Sequence, residues 1–258
     1  MKKQYVLFLV LLLGALFGSS ASAAGLPDIV SLYRWALDHV VEASPPGKSQ
    51  YPEAKETEDD GRARYDAIVR DAVAVAYDPS EAPIFPATDP IARAKTLAVM
   101  LGIMEAESGF RKDVDKGRGM DSKGDNGESW CLMQIRLSTI GRDGKTGVRI
   151  GLKGDGFEYV YDKSLGYGGE DMVEDRRVCI RVGLHMARVS FRNCRALPVD
   201  ERLSAYASGN CEDGKAKSRY RMGLAIRWLA KKAPPMDDLS VMAALSLASN
   251  GLRVTLLP

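Results

Sequence analysis

The chain has 258 residues, 45% apolar and 27% charged, with 36 Lys and Arg against 34 Asp and Glu. These proportions fit a globular chain long enough for one large domain, or for one domain with an extension. A formal charge of +2 excludes a whole-protein electrostatic case for binding nucleic acid.

Residues 1–23 read as an address. Lys2 and Lys3 supply a positive start, Tyr5–Phe17 is an apolar run, and Ala21-Ser22-Ala23 is a small-x-small cleavage pattern. An uncleaved anchor is the alternative, but a run of 13 residues is short of the ~20 needed to cross a bilayer. No cysteine near the cleavage point offers a lipid attachment. A signal peptide predicts a periplasmic or secreted protein, and losing Lys2 and Lys3 takes the formal charge from +2 to zero.

Residues 24–85 are expected to form a helical extension with a polar linker. Ile29, Leu32, Trp35, Ala36 and Val40 recur at helical spacing within 26–43. Ser44–Glu58 is rich in Pro, Gly, Lys and Glu and reads as a mobile linker. Tyr65, Ile68, Ala72 and Val75 predict an inward face for a helix over 61–77, and Pro79, Pro83 and Pro86 force an extended connection after it.

Residues 86–258 are expected to form the main domain. Thr88-Asp89-Pro90 is a helix start. The run Leu97–Met104 then carries no charge, so its helix is buried on every side. Gly109 can stop this helix just after Glu105 and Glu107. Residues 111–129 read as a polar loop, and Cys131–Ile135 as a short apolar piece. Residues 141–170 are rich in Gly and Tyr, with possible strands at 148–150 and 157–160. Helices are expected at 174–192, 201–207 and 216–232, and a last apolar one from Asp237 that carries Leu239, Met242 and Leu245. The fold class is mainly α, with a small β or irregular insert.

Cys131, Cys179, Cys194 and Cys211 would all reach an oxidising compartment, and an even count there predicts two disulfides. Cys179 and Cys194 lie 15 residues apart on one predicted helix, roughly 20 Å at the helical rise, which disfavours that bridge. The preferred pairing is 131–179 with 194–211, and 131–194 with 179–211 stays open. A zinc site lacks both a C-x-x-C and a nearby histidine pair. Asp121, Asp125 and Glu128 fail the calcium-loop pattern, because Lys123 stands at a ligand position and the glycine is misplaced. His185 is alone on a mixed helix and reads as structural or surface. Lys215, Lys217, Arg219, Arg221, Arg227, Lys231 and Lys232 read as a solvated helix face. No cofactor and no metal are expected.

A glutamate at the end of a fully buried helix is unusual. Burial disfavours the carboxylate, and a carboxyl group still protonated near neutral pH can donate to a leaving-group oxygen, as general acids do in glycosidic cleavage. Spacing alone does not choose between Glu105 and Glu107, and a solvated helix-end carboxylate is the plain alternative for either.

Three stretches choose Glu107 by resemblance. Glu107-Ser108-Gly109-Phe110, Cys131-Leu132-Met133-Gln134-Ile135 and Ala205-Tyr206-Ala207-Ser208-Gly209, in that order, resemble the E-S-x-F, G-L-M-Q and A-Y-N-A-G motifs of soluble-type lytic transglycosylases, of the lysozyme-like superfamily. Cys179-Ile180 falls where that family often has Asn-Ile. The likeness covers about 100–210. It implies a lysozyme-like fold around a buried catalytic helix, with Glu107 as the only catalytic acid and Ser108, Met133, Gln134 and Tyr206 around the sugar groove. The chain departs from the family at Cys131, in place of glycine, and at Ala207, in place of asparagine. Tyr159, Tyr161 and Tyr167 are candidate flat faces for sugars, with covering of the core as the plain alternative.

The resemblance implies cleavage of the MurNAc–GlcNAc β-1,4 bond of peptidoglycan without water. Glu107 protonates the bridging oxygen, the substrate's acetamido group meets the charge at the anomeric carbon, and Glu107 then takes the proton of the 6-hydroxyl as a 1,6-anhydro ring closes. A goose-lysozyme-like hydrolytic muramidase and a non-catalytic glycan-binding or scaffold protein with the same fold are the alternatives. The expected partners are glycan strands and cell-envelope proteins, with no nucleic acid, and the protein is expected to be a monomer.

Overall fold

The computed structural model describes residues 25–48, 54–118, 124–137 and 148–249. The expected signal peptide lies outside them, and among the described residues no helix is long and apolar enough to cross a membrane. Nine α-helices are described: α1 Gly25–Ala43, α2 Glu58–Ala76, α3 Ala92–Ser108, α4 Lys112–Lys116, α5 Gly169–Glu174, α6 Arg176–Asn193, α7 Ser204–Ser208, α8 Lys215–Lys231 and α9 Asp238–Ser249. Two separate antiparallel pairs of strands are described beside them: β1 Ser129–Trp130 with β2 Ile135–Arg136, and β3 Arg149–Lys153 with β4 Gly156–Val160. In the second pair Arg149 faces Val160 and Lys153 faces Gly156. The fold is mainly α-helical with a small, open β insert.

Helix α3 runs through the middle, and every residue from Leu97 to Met104 is buried. An uncharged helix of this kind has no face that prefers water, so neighbours must close around it. It packs most extensively on α8, and also on α1, α2, α6 and α9. Gly102 permits the α8 contact, since a Cβ there would stand 3.0 Å from the Arg221 carbonyl oxygen. The expected start at Thr88-Asp89-Pro90 is instead a turn, and α3 begins at Ala92 without a cap from its own preceding residue. Its first free N–H groups are met from far along the chain. Asp238 of α9 accepts from Arg93 N at 2.7 Å and Ala94 N at 3.2 Å, the work of an N-cap done by a tertiary contact. At the other end Gly109 takes the left-handed conformation, φ 54°, and stops the helix as expected.

The first two helices belong to the same hydrophobic cluster as α3, α6 and α8. Leu32, Trp35, Ala36 and Val40 of α1 and Tyr65, Ile68, Ala72 and Val75 of α2 are buried in it, on the faces their spacing predicts; the Ile29 side chain lies outside the description. Trp35 stacks at a tilt on Trp228, 6.1 Å between rings, and its indole N–H donates to the Lys232 carbonyl at 2.8 Å. The stretch read as a mobile linker is only partly described, and the described parts do not hang free. Pro46 and Ala54 are buried, because the segment folds back over the start of α2.

Cys131 is bonded to Cys179 and Cys194 to Cys211, the preferred pairing. The first bridge ties the β1–β2 turn to the start of α6, and the second ties the end of α6 to the turn before α8. Gly169 makes room for Trp130, whose ring would stand 1.9 Å from a Cβ at that position. Together these contacts close the β1–β2 turn down against α5 and α6, beside the end of α3.

Candidate active site

Glu105 and Glu107, two residues apart on α3, point to different places. Glu105 faces His39, whose Nε2 lies 3.3 Å from its carboxylate without making a hydrogen bond. Glu107 opens into a cleft of about 570 Å³, which Ser108, Phe110, Gly124 and Gln134 also line. Two residues turn a helix by about 200°, so only one of the pair can reach a given groove.

The Glu107 side chain is 17% exposed, and its described ion-pair partner is Arg221. Burial pushes its pKa up, Arg221 and Lys217 pull it back, Asp125 pushes the same way as burial, and the balance is raised. Arg221 Nε donates to Oε1 at 2.6 Å, and Nη2 donates to the same oxygen. Both guanidinium donors thus take one oxygen, and no protein hydrogen bond to Oε2 is described.

The three sequence stretches meet here. Tyr206 of α7 donates its hydroxyl to the Met133 carbonyl at 2.7 Å, and burial first, then the Glu107 charge, push its pKa up. The phenol therefore stays protonated, as a donor. Met133 itself is fully buried, packed where Gly183 leaves room for its sulfur; it shapes the site from beneath and does not line the cleft. Ser108 is a support for the helix end: its hydroxyl donates to the Met104 carbonyl at 2.6 Å and accepts from Phe110 N at 3.2 Å. Gln134 lines the cleft, but both ends of its amide are used. Gly124 N donates to Oε1 at 2.8 Å, and Nε2 donates to the Cys131 carbonyl at 3.1 Å.

Backbone strain gathers at the same place. Among the described residues the non-glycine residues with left-handed φ are Phe110 (54°), Asp125 (50°), Cys131 (60°) and Gln134 (46°). Such conformations cost energy and persist where surrounding contacts hold them. Here each holder is visible. Ser108 and Arg64 bind the two backbone groups of Phe110, Ser129 donates to Asp125, the disulfide fastens Cys131, and the Gln134 amide fastens its own turn.

Two contributions escape the sequence reading. Arg221, grouped with the solvated basic face, is only 8% exposed and meets Glu107. The signal was present: Arg221 lies four and seven residues before Ala225 and Trp228, on the buried stripe of α8. The other is the wall of the cleft, which the expected extension builds from Ala43–Pro45, Gly47, Lys48, Ala54, Glu56, Arg64 and Tyr65. Arg64 grips Glu56 and donates to the Phe110 carbonyl at 2.7 Å, while Tyr65 packs edge-on to Phe110.

Outside the cleft, His185 is structural, with its ring nitrogens 2.9 Å from the Gly156 carbonyl and from Glu81. Glu128 pairs with Arg136, and Asp121 lies outside the described residues. Tyr159 and Tyr161 are exposed on and after β4, whereas Tyr167 packs against the core. A second cavity of about 570 Å³ lies between the β3–β4 hairpin and α5–α6, where Arg149 is committed to Asp171 and to the Gly166 carbonyl.

The chain matches no family model, no curated protein and no solved structure. The case for a function therefore rests on this geometry and on the three motifs.

Proposed function

We propose that the protein is an exported lysozyme-like enzyme that cleaves peptidoglycan glycan strands, as a lytic transglycosylase with Glu107 as its acid and then its base. The observation that carries this reading is the Glu107 carboxyl itself: at the end of an uncharged central helix, raised in pKa by burial, and open to a cleft. A carboxyl group so placed can keep its proton until a glycosidic oxygen takes it. Among the described hydrogen bonds those from Arg221 take Oε1, so Oε2 is the oxygen placed to do so. Tyr206 and Gln134 hold the surrounding loops in register with it. Cys131, at the position of the family's glycine, has the left-handed φ that glycine favours, so the departure there is one the backbone accommodates. A substrate acetamido group would meet the positive charge at the anomeric carbon, so the mechanism needs no second carboxylate.

Hydrolysis is the second reading, favoured by Asp125, whose charge is close enough to raise Glu107 and which could hold a water. Mass spectrometry of the products from isolated peptidoglycan decides. Muropeptides one water lighter than hydrolysis products, absent with Glu107→Gln, are expected. Products with intact reducing ends would make the protein a muramidase, and no release with either protein would leave a glycan-binding or scaffold role.

A further inference from the structure

The cationic lining of the Glu107 cleft is more than a neutral sugar requires. Lys48, Arg64, Arg111 and Lys112 stand there against Glu56 and Glu107. Most of these charges are already spoken for. Arg64 is paired with Glu56, Arg111 with Asp113, and Glu107 with Arg221. Lys48 and Lys112 remain. Among the described residues neither has a carboxylate partner, and the described contact of the Lys112 ammonium is the Lys55 carbonyl at 3.3 Å. One comes from the segment after α1 and the other opens α4, so they reach the cleft from separate parts of the chain, and the first lies in the wall built by the extension.

Sugar hydroxyl groups are recognised by neutral donors and acceptors, whereas unpaired ammonium groups recognise anions. The anions of peptidoglycan are carboxylates, and most of them lie on the peptide stems that branch from the strand beside the bond to be cut. We propose that the wall of the cleft carrying Lys48 and Lys112 is a subsite for stem-peptide carboxylates, so that peptide-bearing strands are the preferred substrate over strands stripped of their stems. This rests on the strand-cleaving reading of Glu107 and gives the extension a task in it: Arg64 and Glu56 brace the wall, and Lys48 presents the charge.

The test compares soluble, uncross-linked glycan strands that keep their stems with the same strands stripped of stems by an amidase. Turnover is measured as kcat/KM from chromatography of the shortened strands. Binding is measured separately, by titration calorimetry with the Glu107→Gln protein, so that it does not depend on cleavage. Exposed ion pairs are weak, and two lysines together should give a preference of about twofold to thirtyfold for intact stems. Lys48→Gln with Lys112→Gln should bring that ratio close to one in both assays, and added salt should do the same. Lys163→Gln, at the second cavity, should leave the ratio as it is. A ratio of one for the parent, or a preference that survives in the double variant, would overturn the subsite. Turnover without stem dependence sinks the subsite and leaves the cleavage reading standing. Stem-dependent binding without turnover does the reverse.

Discussion

Glu81 and Glu107 are both drawn out of water and both met by arginine, yet their acidities move in opposite directions. Burial pushes Glu81 up, but hydrogen bonds and charge from His185 and Arg188 outweigh it and hold its pKa low. Arg181 takes its other oxygen at 3.0 Å. Burial pushes Glu107 up as well, and Arg221, bound to one oxygen, offsets only part of it. The difference lies in the number of partners and in what the free oxygen faces. A fully ligated carboxylate fastens α6 to the segment after α2. A half-ligated one at a cleft stays able to carry a proton.

The comparison can be broken most strongly at Glu107. Glu107→Gln keeps the shape and an acceptor for Arg221 but holds no transferable proton, and turnover should fall by about 10²–10⁴-fold, the usual share of a general acid. Residual cleavage within tenfold of the parent would remove Glu107 from the chemistry. At Glu81 the effect should fall on stability. Glu81→Ala leaves Arg188 and His185 buried without their carboxylate, a loss of about 3–5 kcal/mol in denaturant unfolding at neutral pH. Because the folded pKa of Glu81 lies below its unfolded value, this advantage is present above the unfolded pKa of about 4.3. It fades as pH falls through the folded value. A gap between parent and variant that stays constant into acid would contradict the assignment.

Arg221 sharpens the comparison without removing either carboxylate. Arg221→Met deletes the main charge that lowers the Glu107 pKa, so the acid should keep its proton to higher pH. The basic limb of the pH–rate profile should move up by about one unit or more, since a neighbouring opposite charge is worth about 1–3 units. A limb that stays put or moves down would show that the pair does not set the acidity. The smallest effect is expected from Gly102→Ala. The new methyl group meets the Arg221 carbonyl at 3.0 Å, and the backbone of α8 must yield. A loss of about 1–3 kcal/mol with a smaller shift of the same pH limb would tie the helix contact to the site. A stability loss with an unmoved profile would separate them.

Much of the helical framework was legible because it is local. The inward residues of α1 and α2, the all-round burial of α3 and the stop at Gly109 follow from periodicity and composition, whereas the cysteines gave two bridges and a preferred pairing but left Cys131–Cys194 with Cys179–Cys211 open until the fold chose. The site was legible only at its motif residues, Glu107, Gln134 and Tyr206, and there by resemblance as much as by chemistry. Arg221 was hidden because charge counted more heavily in the reading of α8 than its place on the buried stripe. The cap at Asp238 was hidden because nothing in the sequence links residues 93 and 238.

The sequence by itself determined where the long helices lie, which faces of the first two are apolar, and that a carboxyl group ends the most deeply buried helix. Those are properties of neighbours in the chain, set by backbone sterics and the side-chain period. Only the tertiary structure decided which glutamate faces the cleft, which arginine restrains it, and that the N-terminal helices supply the opposite wall. Those depend on groups dozens of residues apart, brought together by burial of a shared core that has no direction along the sequence.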